Sequence, residues 1–196
     1  MKYTRIPVNT FKNLQLNAGI LATAFTPDTG EVKEEDLLGA TNGGINFTAT
    51  PEFSDFGEGI DNAPTNVMQL KRQTSTAASM TGSFVAVNLD LVQKLVGASD
   101  VVGNKIVPRN DLKMSDFFDL WLIADYSAVN EDSEDGAKAG YIAIHMMNTL
   151  STGGFQIQTT NKDKGSFSFT FTAHYDMEKQ DTVPYEVYVA EGSDNE

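Results

Sequence analysis

The stretch GSFSFTFTAHYD (165–176) decides the fold class. Phe167, Phe169, Phe171, Ala173 and Tyr175 fall on one side of an extended chain; Ser166, Ser168, Thr170, Thr172 and His174 fall on the other. Successive side chains of a strand point to opposite faces, so this is a half-buried strand with an aromatic core face. The hydroxyl face poses the functional question. A sheet face turned only to water ordinarily carries Lys and Glu, and this one carries neither.

Working outward, FQIQTT (155–160), the NKDKG turn and this strand predict a β-hairpin, with Gly165 suited to positive φ. VPYEVYVAE (183–191) reads as the last strand. Upstream, YIAIHMMNTL (141–150) and DFFDLWLIADYSA (116–128) read as strands, the second preceded by a helical turn. KRQTSTAASMTGSFVAV (71–87) is a long strand rich in Ser, Thr and Ala. GGINFTATPEFSDFG (43–57) is another, in which Pro51 marks a bulge, an edge or the strand's end, because proline cannot donate to a ladder. Leu14, Leu16 and AGILATAF (18–25) predict a first strand, TPDTG (26–30) a turn, and EEDLLGA (34–40) a helical turn. NLDLVQKLVG (88–97) predicts the helix: Asn88 as N-cap, Gly97 just past the end, Leu91, Val92, Leu95 and Val96 on one face, and an Asp90–Lys94 pair on the other. ASDVVGNKIVPRND (98–111) reads as turn and short strand.

About eight strands following one another directly, with one helix, favour a mostly antiparallel sandwich or barrel over βαβ units. Residues 1–13, with Lys2, Arg5 and Lys12, read as an N-terminal arm; 14–190 as a single domain; 191–196 as a flexible tail. Between the second and third long strands, about 52–70, lies a loop rich in Gly, Asn, Asp and Pro, and loops of that length in a compact domain usually have a job.

Charge narrows the partners. The 196 residues carry a formal net charge of -13, which argues against gripping nucleic-acid phosphates. The absence of cysteine excludes disulfides and Cys-type metal sites. The apolar run 18–25 is too short for a membrane span, and Asn13, Gln15 and Asn17 interrupt any signal-peptide core.

Enzyme motifs are missing: G-x-S-x-G, H-E-x-x-H and the P-loop do not occur. The acidic run NEDSEDG fails as an EF-hand, since Gly136 at position six puts Ile142 where the bidentate Glu belongs. His145 and His174, the only histidines, could meet as a metal or base pair, against the plainer reading of hydrogen-bonded polar residues. Trp121 could be a sugar-stacking platform, but with Phe117, Phe118 and Leu120 beside it a core position is the plainer reading. Asn46-Phe47-Thr48 is a glycosylation sequon whose middle residue reads as core.

The segments LNAGILATAFTPDTGEV, GGINFTATPEFSDFGEGIDN, IVPRNDLKMSDFFDLWLIADYS and STGGFQIQTTNKDKGSFSFTFTAHYDMEKQDTVPYEVYV, in that order, resemble the major tail tube proteins of long-tailed, siphovirus-type bacteriophages and related prophages. The resemblance spans roughly residues 14–190 and lies in texture and order of segments, not in a catalytic motif. It implies the tail tube fold: two antiparallel sheets packed as a barrel-like sandwich with one flanking helix, which 88–97 would supply. It implies a structural subunit, not an enzyme, with no cofactor, catalytic residue or metal. Homohexameric rings would stack into a hollow tube around a tape-measure protein, capped by tail terminator and tail-tip proteins. DNA would pass through without specific binding, and no membrane partner is implied. The location implied is the virion tail, assembled in the bacterial host cytoplasm. Within that frame Phe53, Asp55, Phe56, Glu58, Asp61 and Asn62 are candidates for contact between rings. Ser166, Ser168, Thr170 and Thr172 are candidates for contact between subunits. The alternative is a monomeric carbohydrate-binding β-sandwich, with Trp121, Tyr126 or Tyr141 exposed as its platform.

Overall fold

Alternating apolar residues become strands wherever a second layer can bury them, and ten strands and one helix form here among the described residues. The computed structural model describes residues 14–15, 17–127 and 140–190. The arm 1–13, the acidic run NEDSEDG and the tail 191–196 lie outside them. In chain order the elements are β1 (Leu14–Gln15), β2 (Ile20–Ala22), β3 (Thr41–Asp55), β4 (Lys71–Phe84), α1 (Leu89–Val96), β5 (Ser99–Val102), β6 (Lys105–Pro108), β7 (Phe118–Ser127), β8 (Gly140–Ser151), β9 (Phe167–Thr172) and β10 (Tyr185–Ala190).

All pairings are antiparallel. One sheet has eight strands in the order β1-β7-β8-β9-β4-β3, with β2 also on β7 and β10 also on β8; the other is the β5–β6 hairpin. The large sheet turns a corner within β8. Residues 141–146 of β8 pair with β7 and β10, whereas Leu150 and Ser151 pair with β9. Between them Asn148 takes φ 48°, a left-handed conformation that Asn tolerates better than most residues. The buried Thr149 hydroxyl donates to the Met146 carbonyl at 3.1 Å. Side chains from both halves meet in one core: Leu120, Leu122 and Met146 from one, Met80, Phe84, Phe169 and Phe171 from the other. The sheet does not close into a barrel, since β3 pairs only with β4 and β10 only with β8.

The β9 alternation holds from Phe167 to Ala173, with the aromatic positions buried. Tyr175 departs from it. The strand ends at Thr172, and Tyr175 is exposed while its hydroxyl accepts the Thr76 amide at 2.8 Å. Phe169 lies across Gly82 of β4, where an added Cβ would sit 2.7 Å from its Cζ. α1 follows the expected caps: Asn88 Oδ1 accepts the Leu91 amide at 2.7 Å, and Gly97 has φ 79°.

Three boundaries differ from the expectation. The segment 155–160 is not a strand; a single bridge, Gln158 to Ser166, is all the hairpin there. Lys162, not Gly165, adopts positive φ in that turn, so the left-handed position falls three residues earlier than the glycine. The loop is shorter than 52–70, because β3 runs on to Asp55 and its partner restarts at Lys71. Pro51 fits the edge position, one of the three roles expected of it, and a bulge follows between Glu52 and Phe53.

Candidate assembly surfaces

The outward face of β9–β4–β3 is uncharged over three strands. Register places Thr172 beside Ser79 and Thr48, Thr170 beside Thr81 and Asn46, and Ser168 beside Ser83. Directly paired residues share a face, so these eight side chains form one belt, opposite the core face of Phe171, Met80 and Phe47.

 Thr50, opposite Ala77, extends the belt along β3. Part of this belt is covered by the chain itself. The Thr152 hydroxyl lies 2.7 Å from that of Thr172, and the amides of Thr152 and Gly153 both donate to the Thr170 carbonyl. Ser166 is bridged to Gln158. Of the four hydroxyl residues singled out from the sequence, Ser168 alone is exposed, 3.4 Å from Ser83 across the strand pair.

Beyond this belt β3 and β4 continue as a bare ribbon. β4 pairs with β9 only from Ser79 to Phe84, so the outer turns of the β3–β4 hairpin have no third strand. At its tip Phe53, Phe56, Ile60 and Met68 are all more than half exposed, Phe56 at 63% and Met68 at 80%. The tip is wired from within. Asp55 accepts the Gly57 amide on Oδ1 at 2.9 Å and the Asn66 amide on Oδ2 at 3.0 Å, and the Lys71 ammonium donates to Asn66 Oδ1 at 3.0 Å. Lys71 also sits over the Phe53 ring, 5.4 Å from its centroid. Asn62 and Asn66 both take left-handed φ. Asp55 thus shapes the loop, while Phe56, Glu58, Asp61 and Asn62 face outward. The sheet is open at β3 and at β10, among other edges, and β10 leaves Val187 and Val189 exposed.

The two histidines line one cleft of about 330 Å³ at the β8 corner, with Asp119, Asn148 and Lys179. His174 Nδ1 donates to the Asn148 carbonyl at 3.1 Å, and Asn148 Nδ2 donates to the His174 carbonyl at 3.3 Å. Asp119 Oδ1 accepts the Asn148 amide at 3.3 Å. His145 stacks on Trp121 with ring centroids 4.1 Å apart. Its Nε2 is 3.3 Å from Asp119 Oδ2 but is not aligned for a hydrogen bond, so that contact is one of charge only when the ring is protonated. Nearby, the exposed Tyr188 hydroxyl donates to Glu186 at 2.6 Å, which holds its phenol above the usual pKa. The arrangement braces the left-handed corner. Among the described residues, no three His, Asp or Glu side chains converge to hold a metal. Trp121 is 7% exposed, edge-on to Phe25, and offers no platform. Tyr141 also packs edge-on against Phe25 and donates its hydroxyl to the Pro27 carbonyl. The Tyr126 side chain lies outside the described residues.

One buried ion pair was not legible in the sequence. Arg109, with its side chain 10% exposed, donates to Asp116 Oδ1 at 2.6 Å, to the Ser99 carbonyl at 3.2 Å and to the Asp111 carbonyl at 2.8 Å. Its Nε lies 3.0 Å from Asp100 without hydrogen-bond alignment. No helix among the described residues is long and apolar enough to cross a membrane. Compared with protein-family models and with curated proteins, the chain matches none.

Proposed function

We propose that this chain is the structural subunit of a phage-type tail tube, a ring-forming protein whose rings stack into a hollow conduit. The bare β3–β4 arm carries the reading. A monomer gains nothing by holding Phe53, Phe56, Ile60 and Met68 in water on a preshaped ribbon, and large apolar residues left exposed together at one hairpin tip mark an interaction site. Preshaping by Asp55 and Asn66 lowers the ordering cost of docking such an arm.

Two further features support it. The edges of β3 and β10 offer unpaired backbone groups for lateral joining of subunits. The uncharged belt around Ser168, Ser83 and Thr81 suits close approach to a neighbour, because no ammonium or carboxylate has to be desolvated. A net charge of -13 on each copy would let DNA pass along the assembled tube without sticking. The tape-measure protein, the tail terminator and the tail tip are the partners this reading implies, and the virion tail is the place.

Negative-stain electron microscopy across a concentration series, paired with sedimentation, tests it. Rings and hollow tubes of uniform width are the expected result. A chain that remains monomeric at every concentration overturns the reading.

A further inference from the structure

The tip of the arm and the helix lie at opposite ends of the same hairpin. β4 starts at Lys71, beside the tip, and ends at Phe84, three residues before Val87. Its 14 residues extend roughly 45 Å at about 3.3 Å per residue. At the far end, Val87, Leu89 and Val92 of the α1 entry, with Ile106 of β6, line an open hollow of about 480 Å³. Val87 and Leu89 are themselves exposed, so the hollow is an apolar surface left uncovered by the fold.

We infer that this hollow receives the arm tip of a second copy of the chain, with Phe56 as the inserted side chain. The inference rests on the tube reading and names the receiving surface for its arm. An exposed apolar projection at one end of a rigid ribbon and an apolar hollow at the other make a head-to-tail contact. Such a heterologous contact, running along the length of the ribbon, builds an open stack wherever its rotation does not close a ring. Charge agrees. Glu58 and Asp61 are the only charged residues between 56 and 70, so the end of the loop, beyond Asp55 and Lys71, is anionic. At the hollow, Lys105 sits in sequence between the lining residues Asn104 and Ile106, is exposed, and has no ion-pair partner among the described residues. The acidic residue of the helix's first turn, Asp90, is already engaged by Lys94 at 2.5 Å. An acidic tip therefore meets an unpaired cation and no free carboxylate of α1.

The absence of cysteine makes the contact directly testable. The full chain carrying Glu58→Cys and Lys105→Cys leaves Phe56 and the apolar lining intact. Oxidation of this variant at high protein concentration is expected to give a ladder of covalent multimers on a non-reducing gel. A control carrying Glu58→Cys and Val187→Cys, the latter on β10, is expected to give no ladder. Micrographs of the same samples separate the two ideas. A ladder with tubes supports both. Tubes without a ladder overturn the hollow as the receptor and leave the tube reading standing. A ladder without tubes keeps the contact and removes the tube reading. Neither ladder nor tubes overturns both.

Discussion

The molecule contains two hairpins that leave its main layers, and they are built in opposite ways. The β5–β6 hairpin is short, four residues a side, and it is tied down by Arg109, whose guanidinium reaches Asp116, Ser99 and Asp111. That guanidinium fastens the root of the hairpin to the segment that leads into β7. The β3–β4 hairpin has strands of 15 and 14 residues, and its outer part touches no third strand. Its wiring, through Asp55, Asn66 and Lys71, holds the tip's own shape and nothing else. The lesson is that order and attachment are separate properties. A segment ordered by its own hydrogen bonds, with its apolar groups left outside, is a segment made for another surface.

Two substitutions and one loop replacement probe that contrast. The largest effect is expected where the arm roots in the core. Phe169→Ala removes a ring packed on Phe84, Phe171 and Gly82, and should lower stability by about 3–5 kcal/mol in urea unfolding. A loss below about 1 kcal/mol would mean that this face contributes little to the core. Next comes the tied hairpin. Arg109→Ala strands the Asp116 carboxylate, 6% exposed, and should cost about 3 kcal/mol, measured the same way. A near-neutral result would make the guanidinium a surface ornament and erase the contrast between the hairpins. The smallest effect on stability is expected at the tip. Replacing residues 56–68 by a two-residue Asn-Gly turn should change stability by less than about 1 kcal/mol while abolishing stacked assemblies in micrographs. Normal tubes from that deletion would show that the arm is not the stacking element.

How much of this could be read from the chain follows from range. The β9 alternation and the Asn88 and Gly97 caps are local patterns, and both stand in the structure with one exception, Tyr175, which lies past the strand's end. The helical turns at 34–36 and 114–116 are short-range as well. Pairing is not local. Nothing in YEVYV announces that β10 crosses to β8, or that β8 changes layers at Asn148. The apparent hairpin at 155–166 shrank to one bridge because alternation in FQIQTT is too brief to hold a strand once the chain after β8 turns over Thr170. At the surfaces, the sequence marked the tip residues but could not distinguish Asp55, which faces its own loop, from Glu58 and Asp61, which face out. The hydroxyl face was visible on one strand, whereas its extension to Ser79, Thr81 and Thr48 needed the register. Arg109 stayed hidden because a lone Arg in a polar turn looks like any solvated cation until Asp116 is placed beside it.

Pro51 has a consequence for the chain before it meets its partners. The Thr76 amide points away from β3, to Tyr175, so Pro51 and Thr76 form a non-hydrogen-bonded pair and the Pro51 nitrogen faces the open edge. An incoming strand that zips along β3 loses a donor at that point and meets the bulge between Glu52 and Phe53 directly after it. Runaway cross-β templating, the hazard of any long bare edge, therefore stalls at Pro51, ahead of the last four residues of the strand. A protein stored at high concentration before use would have in that one ring a built-in stop against fibres of the wrong kind.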